Sequence, residues 1–299
     1  MLNPNQIGRY NWGHQLFRNE IGRQHQVVYY GQGFPHYNQS WSVQDIIKKK
    51  YGNSHPDLVM TYGWRYSKDF QGIADLPYPK AHIVVDYGRP QGISKQDKFH
   101  RDNKYDLLFS ITQNAHRLLK KNTPEIPNYI IPFSVDTSVY KPLKIQKEDM
   151  VLAAFNARSD VYPNRGKIRQ ALKQMKIRTI VKKIVHQRLI DAINKCKITV
   201  TSNNIFKSLS MRYTETLACG GFLLADEPED LSYVGLEDGK HLVIYNEIKD
   251  FKKKVRFYMQ NDTAREAICK QGMNFVRKNH SCKVRVKQMT DIIHKELGI

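Results

Sequence analysis

The chain has 299 residues, of which 40% are hydrophobic and 11% aromatic. These values indicate a folded globular protein with room for two domains, and they argue against a disordered chain. The net charge is +20, from 48 Lys and Arg against 28 Asp and Glu, so the chain is strongly basic. No stretch approaches the roughly 20 apolar residues that a membrane-spanning helix needs.

The N-terminus and the cysteines bear on the cellular compartment. Residues 1–12 lack the apolar core of a secretory signal. The four cysteines, Cys196, Cys219, Cys269 and Cys282, show neither a CxxC motif nor a metal-ligand spacing. We therefore expect reduced thiols and a cytoplasmic location, which for a viral protein would be the host cytoplasm.

Short apolar runs alternate with helical patterns along the chain, which predicts α/β units around parallel sheets. In the first half, strands are predicted at 26–30, 58–62, 82–86, 107–111 and 129–131, with helices at 14–22, 43–51 and 115–121. In the second half, strands are predicted at 150–155, 198–201, 221–225 and 242–245. The helices of that half are predicted at 167–175, 187–195, 212–219, 248–260, 264–279 and 283–297.

A boundary between two domains is predicted near Pro142–Asp149, which gives domains at 1–145 and 146–299. Just before it, Asp136 and Thr137 can cap a short turn that Pro142 ends. The boundary therefore separates two halves that each carry their own α/β pattern.

The most informative segment is Ser210–Asp226, SMRYTETLACGGFLLAD. Arg212 and Glu215 lie three apart, so on a helix they share one face near its N-terminal end. Gly220 and Gly221 follow at the C-cap, where a residue with positive φ is favoured and a ligand can approach the backbone. The apolar run after them is typical of a buried parallel strand.

This segment resembles one from the glycosyltransferases of the GT-B fold, in particular the spore-maturation-type (group 1-like) family. There, Arg-x-x-Glu precedes Leu-Ala-Cys-Gly-Gly and an apolar strand ending in Asp. The stretch Pro132–Pro142 is similar to the element Val-Asp-x-x-x-Phe-x-Pro that precedes the interdomain linker in many of these enzymes, with Tyr140 in place of Phe. The resemblance runs from Ile131 to about Asn279. It implies an α/β protein with two Rossmann-like domains facing each other across a cleft, the last helix packing near their joint.

The resemblance also implies a nucleotide-sugar donor, with a UDP-sugar expected, and no separate cofactor. Glu215 matches the glutamate that holds the ribose, and the backbone of Gly220 and Gly221 would face the diphosphate and the sugar. Arg212 could add a contact to the diphosphate, or it could form only a helical salt bridge with Glu215, worth about 0.3–0.5 kcal/mol if exposed.

Two further arginines follow the strand predicted at 150–155, where open α/β sheets bind ligands. Arg158 and Arg165 resemble the two basic residues with which related families grip the diphosphate; the alternative for each is a surface arginine. The chain has no Asp-x-Asp motif, so no metal site is expected. Lys207 stands where the broader family often carries a second glutamate, which leaves retention or inversion of the sugar configuration open.

Three residues of the first half are candidates for the other side of the donor site. Gly13 permits close approach, and His14 could reach the sugar or the leaving phosphate, although this stretch could equally be an ordinary capped helix. Asp86 ends a predicted strand and is the candidate base for the proton of the acceptor hydroxyl. Its alternative role is to cap the following turn.

The net positive charge of the chain bears on the identity of the acceptor. Residues 1–150 carry 20 − 13 = +7 and residues 151–299 carry 28 − 15 = +13, with the densest run at Arg165–Val200. Such an excess favours nucleic acid or an anionic membrane surface, and a solvated basic surface is the alternative. The resemblance includes phage-type enzymes that glucosylate hydroxymethylated bases, so DNA is the favoured acceptor. A glycan, lipid or protein acceptor, or a non-catalytic sugar-nucleotide or DNA-binding module, stays open.

Overall fold

Two parallel β-sheets organise the chain. The computed structural model describes residues 12–31, 34, 37–88, 90–155 and 160–299. By its internal contacts the chain divides into two units. The first runs up to Pro132 and also contains Arg285–Ile299, and the second is Phe133–Val284.

The sheet of the first unit has four parallel strands in the order β1-β2-β3-β4. These strands are β1 (Val59–Tyr62), β2 (Lys80–Val84), β3 (Leu107–Ser110) and β4 (Asn128–Ile130). Its helices are α1 (Trp12–Gln24), α2 (Val43–Tyr51), α3 (Trp64–Ser67), α4 (Pro90–Asp102) and α5 (Gln113–Asn122). A capping box fixes the start of α2, because Ser42 and Asp45 exchange side-chain and backbone hydrogen bonds.

The sheet of the second unit has five parallel strands in the order β6-β5-β7-β8-β9. They are β5 (Glu148–Leu152), β6 (Thr179–Ile180), β7 (Cys196–Val200), β8 (Leu223–Ala225) and β9 (Val243–Ile244). The helices are α6 (Pro163–Gln174), α7 (Gln187–Lys195), α8 (Met211–Ala218), α9 (Ile248–Gln260), α10 (Asp262–Asn279) and the beginning of α11 (Cys282–Leu297). The core of this unit packs the inner strands against helices on their faces, with Val151, Ile198, Leu224 and Phe251 fully buried.

Most strands predicted from apolar runs are present in the structure, with ends shifted by at most three residues. The prediction at 26–30 is wrong, because that segment forms no strand in either of the two described sheets. Its side chains are fixed locally instead: the Tyr29 hydroxyl donates to the carbonyl of Arg18, and the Tyr30 hydroxyl donates to the carbonyl of Asn38. The short edge strand β6, with only two half-buried residues, had no apolar run to predict it.

The last helix illustrates how the units divide. Met289 and Ile293 of α11 are buried against residues of β1, β2 and β3, so this part of the helix belongs to the first unit. The segment after Pro132 belongs to the second unit, where Val135 forms a β-bridge with Ser281. The contacts thus change units at 132/133 and 284/285, and the domain boundary at 145/146 stays a prediction.

None of the helices within the described ranges is long and apolar enough to cross a membrane. The four cysteines are buried, and all of them lie in the second unit.

Buried histidines distinguish the core of the first unit. His82 on β2 and His100 on α4 are both fully buried, with ring centroids 5.2 Å apart. The Nδ1 atom of His82 lies 2.6 Å from the Thr61 hydroxyl. His82 Nε2 and both ring nitrogens of His100 have no hydrogen-bond partner among the described residues. Burial lowers the pKa of His82 well below its ordinary value and that of His100 to about 4, so both rings are neutral at pH 7.

These neutral rings predict that the first unit loses stability in mild acid. In the unfolded chain His100 would bind a proton near pH 6.5, whereas in the folded chain it does so only near pH 4. The unfolded state therefore binds more protons in this window, and the free energy of unfolding falls as the pH falls from 6.5 towards 4. The shift corresponds to about 3 kcal/mol for His100 at most.

We expect His100→Gln, which cannot titrate, to reduce this pH dependence. Urea unfolding at pH 7.5, 6 and 5 measures it, with His55→Gln as a control at an exposed histidine of the same unit. An unfolding free energy of the wild type that does not change between pH 7.5 and 5 would contradict the neutral buried rings.

Candidate ligand site in the second unit

The strand order of the second sheet creates a crevice between β5 and β7. The chain leaves β5 through α6 towards β6, and it leaves β7 through α8 towards β8, on the opposite side. Neighbouring strands whose connections diverge in this way leave a gap at their carboxyl ends, where α/β proteins bind ligands. The N-termini of α6 and α8 also lie at this edge, because each helix follows its strand.

Arg212 and Glu215 stand on α8 at this crevice, as their spacing predicted. Arg212 Nη1 lies 3.0 Å from Glu215 Oε2, and both side chains are largely buried, at 17% and 10% exposure. Arg212 Nη2 donates to the carbonyl of Ala154, which follows β5, at 3.4 Å. Arg212 therefore connects the start of α8 to the end of β5, and the pair is more than a surface salt bridge.

Glu215 has a second partner that the sequence did not predict. The hydroxyl of Tyr140 donates to Glu215 Oε1 at 2.8 Å in a buried contact. Burial, together with the charge of Glu215, raises the pKa of Tyr140 far above its ordinary value, so the phenol keeps its proton. The sequence shows Tyr140 where the resembling enzymes carry Phe. A buried tyrosine hydroxyl needs a polar partner, so this difference was a signal for the contact.

Arg165 lies at the first turn of α6, next to the same crevice. Its guanidinium stacks over the ring of Tyr162, with 3.2 Å from the guanidinium carbon to the ring centroid, and lies 5.0 Å from that of Phe155. Burial lowers the pKa of Arg165, and the charge of nearby Arg212 lowers it further. Two guanidinium groups that repel each other, at the N-termini of α6 and α8, form a site suited to an anion.

Polar groups without partners add to this edge of the sheet. The hydroxyl of Ser202, which follows β7, is buried and has no hydrogen-bond partner among the described residues. The same holds for the hydroxyl of Ser210, which stands at the N-cap of α8 without capping it. Hydroxyl groups left over at a helix N-terminus are available to a bound anion or sugar.

A hydrogen-bond network surrounds the carboxyl end of β8, the next strand along this edge of the sheet. Asp226 follows β8 and accepts from Asn164 at 3.0 Å and from the backbone N–H of Asn203 at 2.7 Å. The Tyr213 hydroxyl donates to Asn203 Oδ1 and to the carbonyl of Asp226. Burial raises the pKa of Asp226. From the sequence alone, this aspartate is expected only at the end of a strand.

Gly220 and Gly221 lie at the other end of α8 from Arg212. Gly220 has φ +68 and caps the helix with a bond from its N–H to the carbonyl of Leu217, as the positive-φ prediction required. A Cβ on Gly221 would lie 2.7 Å from Ile193 Cγ2 and 3.1 Å from the carbonyl oxygen of Thr216. The fold therefore explains why glycine stands at both positions, just before β8. Contact of these glycines with a donor stays a prediction.

The remaining predicted residues fall in two places. Arg158 lies outside the described residues. Gly13 and His14 are on α1 of the first unit, and Asp86 follows β2 there. Asp86 is exposed and has φ +54, a left-handed conformation that suits the sharp turn it begins.

His14 forms a hydrogen bond through Nδ1 with the hydroxyl of Tyr62, the last residue of β1. Burial and the positive charge of Arg18 lower the pKa of His14 to about 4. The imidazole is therefore neutral at pH 7 and accepts a proton only weakly. Its catalytic role, like that of Asp86, stays a prediction.

Comparisons with known proteins concern the fold and the second half of the chain. Residues 151–291 match a family model described as glycosyl transferase-like. Among solved structures, the chain is similar to Anabaena Alr3699/HepE in complex with UDP, with TM-score 0.62 and 9% identity over 85% of this chain and 82% of that one. It is also similar to a glycosyltransferase from Rickettsia africae, with TM-score 0.61 and 12% identity over 94% and 87%.

A third similar structure is the sucrose-phosphate synthase of Thermosynechococcus elongatus, with TM-score 0.61 and 13% identity over 85% of this chain and 76% of that one. No curated protein matches the sequence significantly. The α/β fold with parallel sheets, of the GT-B type, is thereby confirmed. We call residues 151–291, which match the glycosyl transferase-like model, the glycosyltransferase-like region, and the site at α8 lies within them.

The packing of Gly221 leads to a paired prediction about stability. Gly221→Ala should destabilise the chain by about 1–3 kcal/mol, because the added methyl group overpacks a buried turn. Gly166→Ala, on the exposed side of α6 with nothing within 4 Å of its Cβ, should instead stabilise by about 0.5–1 kcal/mol through helix propensity. Urea unfolding measures both. A Gly221→Ala protein of wild-type stability that no longer binds nucleotide would assign the glycine to the ligand instead.

Proposed function

We propose that the protein is a glycosyltransferase that moves a sugar from a nucleotide-sugar donor, a UDP-sugar first, to a hydroxyl acceptor. The observation that carries this proposal is the buried pair Arg212–Glu215 at the N-terminus of α8, beside the carboxyl end of β5 and within the glycosyltransferase-like region. A carboxylate and a cation side by side match a ribose hydroxyl pair and a diphosphate.

In this proposal Glu215 accepts hydrogen bonds from the ribose hydroxyls. Arg212, Arg165 and the N-terminus of α8 face the diphosphate, and Arg158 would join them. The acceptor oxygen attacks C1 of the sugar while the bond from C1 to the diphosphate oxygen breaks, so negative charge grows on the leaving group. Fixed cations and helix N-termini stabilise such charge without reorganisation, which lowers the barrier.

The choice of UDP is supported by the similar Anabaena HepE structures, which contain UDP, UDP with glucose, and UDP-glucose. The proton of the acceptor hydroxyl needs a base, and Asp86 is the proposed one, because it is an exposed carboxylate just beyond the carboxyl end of β2. Catalysis without a metal is part of the same proposal, since the described cations supply positive charge.

The donor proposal predicts a loss of nucleotide affinity in Glu215→Gln, which keeps the size of the side chain but removes its charge. UDP binding should weaken by about 1.5–3 kcal/mol, the range for hydrogen bonds to a charged group. Calorimetric titration with UDP measures it, and Glu237→Gln, at an exposed glutamate paired with Lys240, is the control.

Release of nucleotide diphosphate from a panel of nucleotide sugars, with and without acceptor, tests turnover in the same proteins. Unchanged UDP affinity in a folded Glu215→Gln protein would remove this carboxylate from the donor site.

For the acceptor we propose DNA, in which a hydroxymethylated base would offer the hydroxyl group. The support is the charge of +20 and an exposed run of basic residues on the second unit. From Val161 to Ile190 the chain has no acidic residue, and most of its cations are exposed. The exposed ones are Lys167, Arg169, Lys173, Lys176, Arg178, Lys182, Lys183 and Arg188. We call these residues the basic stretch.

The three consecutive lysines of α9, Lys252 to Lys254, are a poorer candidate for contact with DNA. Lys252 donates to Gln174, and Lys254 donates to the carbonyl of Ile244 and to Asp250. Two of the three ammonium groups are thus engaged within the protein, and of the three lysines only Lys253 is exposed.

The DNA proposal predicts a salt dependence that the basic stretch controls. The logarithm of the binding constant should fall linearly with the logarithm of the salt concentration, with a slope of about 0.9 per phosphate contact. Replacing Lys167, Lys173 and Lys176 with Gln should flatten this slope. A protein with Lys253, Lys270 and Lys278 replaced by Gln loses the same charge and should keep it.

Filter binding to hydroxymethylcytosine duplexes between 50 and 200 mM salt, which is about the range where such effects are large, measures both slopes. Retention by anionic vesicles without DNA binding would favour a membrane-bound acceptor. Equal slopes in the two triple variants would mean that overall charge, and not the basic stretch, attracts DNA.

A further inference from the structure

Tyr140 is held more firmly than a linker residue needs to be. Its ring is buried at 2% exposure, and its N–H donates to the carbonyl of Asp136 at 2.8 Å. Asp136 in turn accepts from the backbone and the hydroxyl of Ser138 through Oδ1, which closes the turn. The turn predicted from the sequence therefore forms, and it aims the Tyr140 hydroxyl into the protein.

The segment around Tyr140 is also tied to the helices of the second unit. Arg277 of α10 donates through Nη1 to the carbonyls of Tyr140 and Ala218, at 3.4 Å each. Asn194 of α7 accepts from the N–H of Leu143 at 2.8 Å and donates to the carbonyl of Lys141 at 3.2 Å. With its backbone fixed on both sides, Tyr140 can hold another group in place.

The group that Tyr140 holds is the Glu215 carboxylate. Oε1 accepts from the Tyr140 hydroxyl at 2.8 Å, and Oε2 lies 3.0 Å from Arg212. A carboxylate has about four acceptor positions, so about two remain once both partners are counted. The partners on its two oxygens fix the plane of the carboxylate, and this plane decides where the remaining positions point.

We propose that Tyr140 is a positioning residue for the donor: its hydroxyl orients Glu215 so that the free acceptor positions meet the ribose hydroxyls. This inference rests on the proposed function, in which Glu215 binds the ribose. A phenylalanine, which the resembling enzymes carry at this place, fills the same space but cannot orient the carboxylate. In this chain a hydrogen bond fixes the orientation of the Glu215 carboxylate, whereas a phenylalanine ring would constrain it only by packing.

The test compares UDP with 2′-deoxy-UDP, because only UDP carries the 2′-hydroxyl. We expect the wild type to bind UDP more tightly. Tyr140→Phe should weaken UDP binding by about 3- to 10-fold, the effect of one lost hydrogen bond, and leave 2′-deoxy-UDP within about twofold. A merely structural role would weaken both nucleotides alike, so the ratio of the two dissociation constants separates the roles.

A double-mutant cycle supplies the second readout. Because Tyr140 is proposed to act through Glu215, Tyr140→Phe should change UDP affinity little in a Glu215→Gln background. Tyr105→Phe is the matched control, since it removes a buried hydroxyl of the first unit that lies 2.7 Å from that of Thr61. All titrations are made at a temperature where melting curves show each variant folded.

The outcomes separate the two proposals. A wild type that does not bind UDP overturns the UDP-donor function, and the role of Tyr140 falls with it. A wild type that binds UDP, with a preference for UDP over 2′-deoxy-UDP that Tyr140→Phe leaves unchanged or increases, overturns only the positioning role. Fully additive losses in the cycle overturn it as well.

Discussion

The constraint on which the site depends is that parallel strands end at one edge of their sheet. In the second unit this edge gathers the end of β5, the turn after β7 and the N-termini of α6 and α8. Each helix N-terminus carries a partial positive charge, and Arg165 and Arg212 add full ones. Such an arrangement is unfavourable when empty, because like charges repel, and it becomes favourable when an anion fills it.

Glu215 balances part of this charge at a cost. A carboxylate and a guanidinium that are both largely buried lose hydration, and their attraction recovers this loss only when further hydrogen bonds complete the group. The Tyr140 hydroxyl and the Ala154 carbonyl supply those bonds, one at each end of the pair. Apolar side chains in the same volume would stabilise the fold without the cost of removing charges from water. The polar arrangement is therefore better explained by recognition of a ligand than by folding.

Much of the fold could be predicted because apolar runs and their spacing record burial directly. Strands β1 to β5 and β7 to β9 follow such runs. Residues 26–30 have the same composition, but their tyrosine hydroxyls bond to nearby carbonyls and no ladder forms. The pair Arg212–Glu215 was predictable from helical spacing alone. The Tyr140–Glu215 bond joins residues 75 positions apart, and no local pattern encodes a contact at that separation.

The cysteines of the second unit have a practical consequence. Burial raises the thiol pKa of Cys196 and Cys269 to about 11 and that of Cys219 to about 12. At neutral pH roughly one such thiol in ten thousand or fewer is the reactive thiolate, and each is shielded from reagents as well. Alkylation should therefore proceed only when the second unit opens. The first unit has no cysteine, so the same reagent does not detect opening of the first unit. The rate of cysteine alkylation therefore reports the local opening of the second unit.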